Sequence, residues 1–408
     1  KPRAEVILTE LLPVMQELRH TRRHVGRWMR QKRVLPSLAT IGTSARIRRE
    51  ARGTCLIIAP WNYPFSLAVG PLVSALAAGN SAIVKPSEMT PASSSVIARV
   101  IAEAFPPDLV TVIEGGVKTS ETLLALPFDH IFFTGSPRVG QIVMAAASKT
   151  LASVTLELGG KSPTIVGPGA DLARAADWIA FGKFANAGQT CIAPDHVFVQ
   201  SSVKDRFLQA LRDRITRAYG SGLDSPHLAQ IVTDKHARRL QDLLSDALQK
   251  GAQLTHGGQA EGRRMAPTII EALTPEMDIQ DEEIFGPILP VMVYDDIVEV
   301  IDRINDRPKP LALYIFDRDR TLAEQVIGAT SSGSVGINLT MAQFSHPALP
   351  FGGVNWSGIG AAHGEYGFLA FSHERAILAN KGTLLPLVFP PYTPKVMQLV
   401  GWIKRLMG

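Results

Sequence analysis

Residues 188–195 read GQTCIAPD and carry Cys191, one of only two cysteines in the 408-residue chain. A thiolate is a strong nucleophile toward a carbonyl carbon when a base and donors for the developing oxyanion surround it. A free cysteine is also among the residues most often buried as plain packing. The stretch does not decide between them, so both readings stand open until partners are found elsewhere.

Five other stretches carry groups suited to that chemistry or to a cofactor beside it. SVTLELGG ends on Glu157 in apolar surroundings before two glycines, where burial would raise its pKa toward that of a general base; the plainer reading is an ion pair with Lys161 or Lys85. WNYP holds Asn62, whose side-chain amide could face an oxyanion together with the backbone N–H of Cys191, or could simply bond its own turn. TGSPRVG (134–140) ends a β-like run and opens a helix-like one, presenting backbone N–H groups to an anion, although its spacing is not the G-x-G-x-x-G fingerprint. KPSE places Lys85 and Glu88 where both could bond a ribose, and QDEEIFGP adds Glu283 for hydroxyl contacts and Phe285 as an apolar surface beside a ring. Taken alone, KPSE is a solvated turn and Phe285 is core. Cys55, inside the apolar run TCLIIAP, reads as filler.

These groups need a frame that brings them together. From 54 to 160, β-branched runs (54–60, 81–87, 109–115, 130–136, 153–159) alternate with helix-like stretches, which predicts βαβ units and a parallel sheet covered on both faces. WNYP, KPSE, EGG, TGSPRVG and ELGG all follow strands of this series, at the carboxyl edge where such sheets bind ligands. A second series (163–167, 196–200, 288–294, 311–316, 334–339), with helices at 203–219 and 234–250, predicts a second α/β unit. Residues 35–53 read as a hairpin outside both cores, with 376–384 as its partner strand. A protruding edge of that kind is commonly completed by another subunit.

Composition narrows the class. The chain is 46% apolar with a net charge of +5, its length predicts two domains, and two cysteines fit a reducing compartment. No apolar run is long enough to span a bilayer and no signal peptide is visible. Seven Lys/Arg fall within residues 19–33, but Leu11, Met15, Leu18, Val25 and Trp28 recur at helical spacing, so the charges read as the wet face of an amphipathic helix rather than a nucleic-acid patch.

Assembled in order, LIIAPWNYPF, AAGNSAIVKPSE, FFTGSPRVG, TLELGGKSP, NAGQTCIAPD, DEEIFGPILP and LPFGGVNWSGIG resemble the aldehyde dehydrogenases over residues 5–395, and GAAHGEYGFLAFSHER resembles the class 3, or fatty-aldehyde, branch in particular. The resemblance implies two doubly wound α/β domains with a small protruding β oligomerisation element. An NAD(P)-binding domain would span 1–157, a catalytic domain 158–340, and a segment returning to the cofactor domain 341–408. It gives Cys191 as nucleophile, Glu157 as general base and Asn62 as oxyanion donor. Trp61, Lys85, Glu88, Gly135, Ser136, Gly140, Leu158, Glu283 and Phe285 would hold NAD or NADP, Tyr63 would line the aldehyde pocket, and no metal is implied. The implied reaction converts hydrophobic aldehydes to acids through a thiohemiacetal and a thioester at Cys191, which water activated by Glu157 releases. CoA-acylating or thioesterase-type transfer and a non-catalytic structural protein remain the alternatives.

The branch normally has more helical sequence before the position of Lys1, and smaller residues where Asn355 and Trp356 stand. In the tail 394–408, Val396, Leu399, Val400 and Ile403 share one helical stripe beside Lys395, Lys404 and Arg405. That stripe would dock on its own protein or a partner subunit, shield the substrate funnel as a terminal helix of the branch can, or lie weakly on a membrane. A cytoplasmic homodimer, peripheral to a membrane at most, is the expected form.

Overall fold

The computed structural model describes residues 1–220 and 222–407. Two sheets dominate it. The first has six strands in the spatial order Gly358–Ile359, Ser153–Glu157, His130–Thr134, Thr54–Ile58, Ser81–Lys85 and Val110–Val112. All neighbours are parallel except the two-residue edge strand. Their apolar residues alternate between two buried faces: Cys55, Ile57, Val84 and Phe132 pack on one side, Leu56, Ile58, Ile131 and Phe133 on the other. Burial on both faces is what makes these strands continuously apolar.

The second sheet has seven strands, in the order Gln253–His256, Thr268–Glu271, Ile288–Tyr294, His196–Gln200, Pro163–Val166, Ala312–Phe316 and Ser334–Ile337. The ten strands expected in the two series are present within a few residues of their expected ends. Gln253–His256 and Thr268–Glu271 were not anticipated; they are four residues each, too short for a clear alternation.

Three expectations need correction. The protruding strands are Lys32–Val34, Thr43–Ala51 and Ser372–Asn380, so the hairpin begins before residue 35 and the partner strand lies four residues earlier than expected. A helical turn at Leu38–Thr40 occupies the stretch taken for its first arm. The amphipathic helix Leu12–Trp28 follows the expected stripe only at its end: Trp28 is buried and Val25 half-buried, but Leu11, Met15 and Leu18 are exposed, and Val14, Glu17 and Thr21 are buried in their place. Polar partners fixed that arrangement. Glu17 accepts a hydrogen bond from the N–H of Gly364 at 2.8 Å and one from the Thr21 hydroxyl at 3.4 Å, satisfying groups that could not otherwise be buried.

The tail forms a helix, Pro394–Met407, beside the turn Leu385–Val388. Val396, Leu399 and Ile403 are half-buried, whereas Val400 is exposed. Among the described residues no helix is long and apolar enough to cross a membrane.

Candidate active site

The register of the first sheet sets the rim on which the site stands. Ile58 pairs with Lys85, and Thr134 with Glu157, so the strands finish level and their connecting loops open on one edge. WNYP leaves Thr54–Ile58 by this edge, and Glu157 is the last residue of its strand.

Glu157 is 4% exposed and neither carboxyl oxygen has a hydrogen-bond partner. The ion pairs considered for it do not form: Lys161 bonds Asp195 at 2.5 Å and Lys85 bonds Glu88 at 2.9 Å. A bare buried carboxylate is costly enough that burial alone holds this group well above the usual carboxylate range.

Cys191 and Glu157 line the same narrow cavity of about 50 Å³, with Phe132, Leu158, Phe344 and Phe351 on its walls. Burial pushes the Cys191 thiol up to about 12, and the nearby Glu283 and Glu157 carboxyls add to the rise; N–H groups of Cys191 and Ile192 pull the other way. Cys55 is also raised to about 12, but it is fully buried inside its strand and does not line that cavity. The difference between the cysteines is therefore access to a cavity with a carboxyl in it.

Cys191 follows an unusual piece of backbone. The helix Leu172–Phe184 is broken at Ala185, and Asn186, Ala187 and Gly188 take φ values of 52°, 54° and 74°. Two successive non-glycine residues in the left-handed region cost about 1–2 kcal/mol each. Gly188 could not be replaced cheaply, since a Cβ there would lie 2.3 Å from the Gly286 carbonyl oxygen. Hydrogen bonds hold the turn: Gln189 Nε2 donates to the carbonyls of Asn186 (2.8 Å) and Gln230 (3.1 Å), and its Oε1 accepts from Val232 N–H at 2.9 Å.

Asn62 is buried and reaches this turn rather than bonding its own loop. Its Nδ2 donates to the Gln189 carbonyl at 3.1 Å, which leaves one N–H of the amide free, and its Oδ1 has no partner. Tyr63 also reaches the cysteine loop. It is 7% exposed, its hydroxyl shares a 2.6 Å hydrogen bond with Thr190, and it is not among the residues lining the Cys191 cavity. It stands behind the cysteine loop as a support.

The other side of Cys191 has groups that sequence reasoning missed. Asp195 is buried with Oδ1 on Lys161, Oδ2 accepting from Ile284 N–H at 2.9 Å, and His196 Nδ1 at 3.2 Å. Although burial pushes it up, Lys161 and His196 hold Asp195 well below the usual carboxylate range. Lys183, fully buried two residues before the break, is lowered by burial to about 8. Single polar residues within apolar runs gave no spacing signal by which to find these ties.

The residues expected around a dinucleotide have the following surroundings. Lys85 is buried and ion-paired to the half-exposed Glu88; burial pushes that carboxyl up, but the Lys85 hydrogen bond and charge, together with a backbone N–H, hold it below its ordinary value. Ser136 precedes the helix Pro137–Ala147 with no side-chain cap, so the N–H groups of its first turn are left for another acceptor. Gly135 and Gly140 let this turn lie directly on its neighbours: Cβ atoms there would come 2.4 Å from the Phe133 ring and 2.8 Å from Leu158. Trp61 stacks edge-on with Phe285, ring centres 5.4 Å apart. Glu283 lies along the backbone of Gly159 and Gly160, accepting from Gly160 N–H at 3.1 Å, and burial raises it to about 7. Glycine-lined backbone, an uncapped helix start and carboxylates for two sets of hydroxyls fit a group with phosphates between two riboses.

Asn355 is left-handed (φ 57°), and Trp356 stands at the wall of a separate cavity of about 870 Å³ that also touches Glu283. Neither borders the Cys191 cavity.

The family model described as "Aldehyde dehydrogenase family" matches residues 1–377. A putative aldehyde dehydrogenase AldX of Bacillus subtilis is 48% identical over 382 residues, covering 92% of this chain and 86% of the relative. Aldehyde dehydrogenase family 3 member A2 of Mus musculus is 43% identical over 373 residues, 90% of this chain and 76% of the relative. Among solved structures, the substrate-bound state of Staphylococcus aureus AldH superposes with a TM-score of 0.93 at 43% identity, covering 99% of this chain and 88% of that one. A Mycobacterium tuberculosis aldehyde dehydrogenase complexed with NAD+ gives 0.86 at 28% identity (94% and 80%), and an NADP-dependent glyceraldehyde-3-phosphate dehydrogenase of Bacillus halodurans complexed with NADP gives 0.86 at 30% (94% and 81%). With a matched family model over most of its length and close relatives in family 3, the chain belongs to the aldehyde dehydrogenase family.

Proposed function

We propose that this enzyme oxidises hydrophobic aldehydes to carboxylic acids with NAD or NADP, through Cys191 as nucleophile and Glu157 as base. The observation that carries this reading is the shared cavity: one reactive thiol and one unpartnered carboxyl, enclosed together by aromatic and aliphatic walls. Lys85 and Glu88, the turn at Gly135, Ser136 and Gly140, and Trp61, Leu158, Glu283 and Phe285 would hold the dinucleotide. Bound there, it supplies the hydride acceptor.

The chain's own residues supply the rest. Cys191 gives its proton to water and its sulfur adds to the aldehyde carbon; the oxyanion of the resulting thiohemiacetal takes hydrogen bonds from the free N–H of Asn62 and from the backbone of Cys191. Loss of hydride from that carbon leaves a thioester on sulfur. Glu157, held in its protonatable range by burial, takes a proton from water, and the hydroxide releases the acid. A base suited to water favours hydrolysis over transfer to a thiol acceptor.

The hydrophobic preference rests on the route to Cys191. The inner cavity shares Glu17, Ser66, Gly70, Phe344 and His363 with an outer one of about 40 Å³, which shares Gln16 and Pro347 with a surface groove of about 460 Å³. Such a narrow path suits slender chains. The exposed strand Lys32–Val34 and its sheet support a homodimer. The test is a panel of aldehydes with each cofactor, following reduced cofactor: turnover with medium-chain or aromatic aldehydes that Cys191→Ser abolishes is expected. Absence of turnover with either cofactor, or an active Cys191→Ser, contradicts the proposal.

A further inference from the structure

We infer that Asn186 is a positioning residue for the oxyanion donor, locked in place by Glu5 from the amino-terminal helix. The inference rests on the reading of Asn62 as that donor. Asn62 can present an N–H to a substrate oxygen only if its amide is held in one orientation, and what holds it is the Gln189 carbonyl, 3.1 Å from Nδ2. That carbonyl is itself held. Asn186 Nδ2 donates to it at 3.1 Å and also to the backbone carbonyl of Asn62 at 3.0 Å. One buried amide thus ties both sides of the site together: the loop that carries Asn62 and the loop that carries Cys191.

Asn186 can do this because its backbone is left-handed, a conformation Asn tolerates better than most residues. A left-handed residue in a turn needs its N–H satisfied from outside the turn. Glu5 does so, its Oε2 accepting from Asn186 N–H at 3.1 Å across 181 residues of sequence. The same amino-terminal segment grips the other loop, where Glu10 Oε2 accepts from Phe65 N–H at 2.8 Å, three residues past Asn62. Asn62, Asn186 and Gln189 are each at most 4% exposed, so water cannot replace these bonds.

The substitution Asn186→Asp keeps shape and backbone preference but turns a donor into an oxygen facing two carbonyls. We expect kcat to fall about 100-fold, the scale of losing an oxyanion donor, with KM for the cofactor unchanged. Alkylation of Cys191 by iodoacetamide, a displacement that builds no oxyanion, should stay within about two-fold of the parent; an equal fall in both would mean a collapsed loop and would overturn the inference. The decisive comparison is a double-mutant cycle. In an Asn62→Ala background, Asn186→Asp should cost no further activity, whereas a fully additive loss removes the inference alone. Full activity in Asn62→Ala removes the reading of Asn62, and this inference with it. Should Asn186→Asp fail to fold, Glu5 gives the same answer: Glu5→Leu is expected to lower kcat about 10-fold and Glu5→Gln, which still accepts from Asn186, to restore it. An unchanged kcat in Glu5→Leu contradicts the lock.

Discussion

Two carboxyl groups near Cys191 are held above their ordinary range by burial, and the thiol between them is held up as well. All three groups gain negative charge as pH rises, so the chemistry of the site should respond to pH with a definite sign. A thiol raised to about 12 exposes more thiolate with every step up in pH, so alkylation of Cys191 by iodoacetamide should accelerate about tenfold per pH unit from 7 to 9. A plateau below pH 8 would show that the thiol is not raised. Cys55, fully buried, should yield no alkylated peptide in the folded protein. Glu283, raised to about 7, is a neutral carboxyl below that pH and a carboxylate above it. Only the carboxylate accepts two ribose hydroxyls at charge-assisted strength, worth about 1 kcal/mol more than a neutral contact. Cofactor affinity, measured by fluorescence titration, should improve several-fold between pH 6 and 8 and lose that dependence in Glu283→Gln; a pH-independent affinity in the parent contradicts it. The residue types and their positions at strand ends were readable from the sequence. Their ties were not: Asn186 in a left-handed turn, Lys161 on Asp195 and Tyr63 behind Thr190 are contacts across many residues, with no periodicity to betray them.

At the scale of elements, the parallel strands were legible because burial on both faces demands continuous apolar runs, such as Cys55–Ile58 and Phe132–Phe133. The helix Leu12–Trp28 shows the limit. Hydropathy assigned Leu11, Met15 and Leu18 to the core, but satisfied carboxylates at Glu10 and Glu17 are cheaper to bury than the sequence suggests, and they turned the helix. That rotation matters for substrate, since Glu17 reaches the inner cavity beside Gly70. Gly70 sits within the helix Ser66–Ala77 without any left-handed need for glycine, and a Cβ added there would meet nothing within 4 Å. Its hydrogen keeps the path open. Gly70→Leu should leave stability near the parent value, gaining about 1 kcal/mol of helix propensity, yet lower kcat/KM for decanal at least about tenfold relative to acetaldehyde. Equal effects on both aldehydes would mean that the path does not carry the substrate.

For the molecule as a whole, the site exists only where the loops of one sheet meet the entry to the other. Asn62 and Glu157 come from the first sheet's edge, and Cys191 from the loop just before the strand His196–Gln200 of the second. Sequence patterning supplied both sheets and the order of their motifs, while their joining depends on hydrogen bonds such as Asn186 to Asn62 that pattern does not encode. The protruding sheet was visible as an alternating segment, but its ends were misplaced because turns there replaced strand. The central claim is that Cys191 carries the acyl group and Glu157 releases it. Intact-protein and peptide mass spectrometry of Glu157→Gln, mixed with octanal and NAD or NADP, tests this most directly. The account predicts one equivalent of reduced cofactor, a stalled octanoyl adduct on the Cys191 peptide and turnover lowered at least about 100-fold. Sustained turnover without an adduct, or an adduct on any other residue, would contradict it.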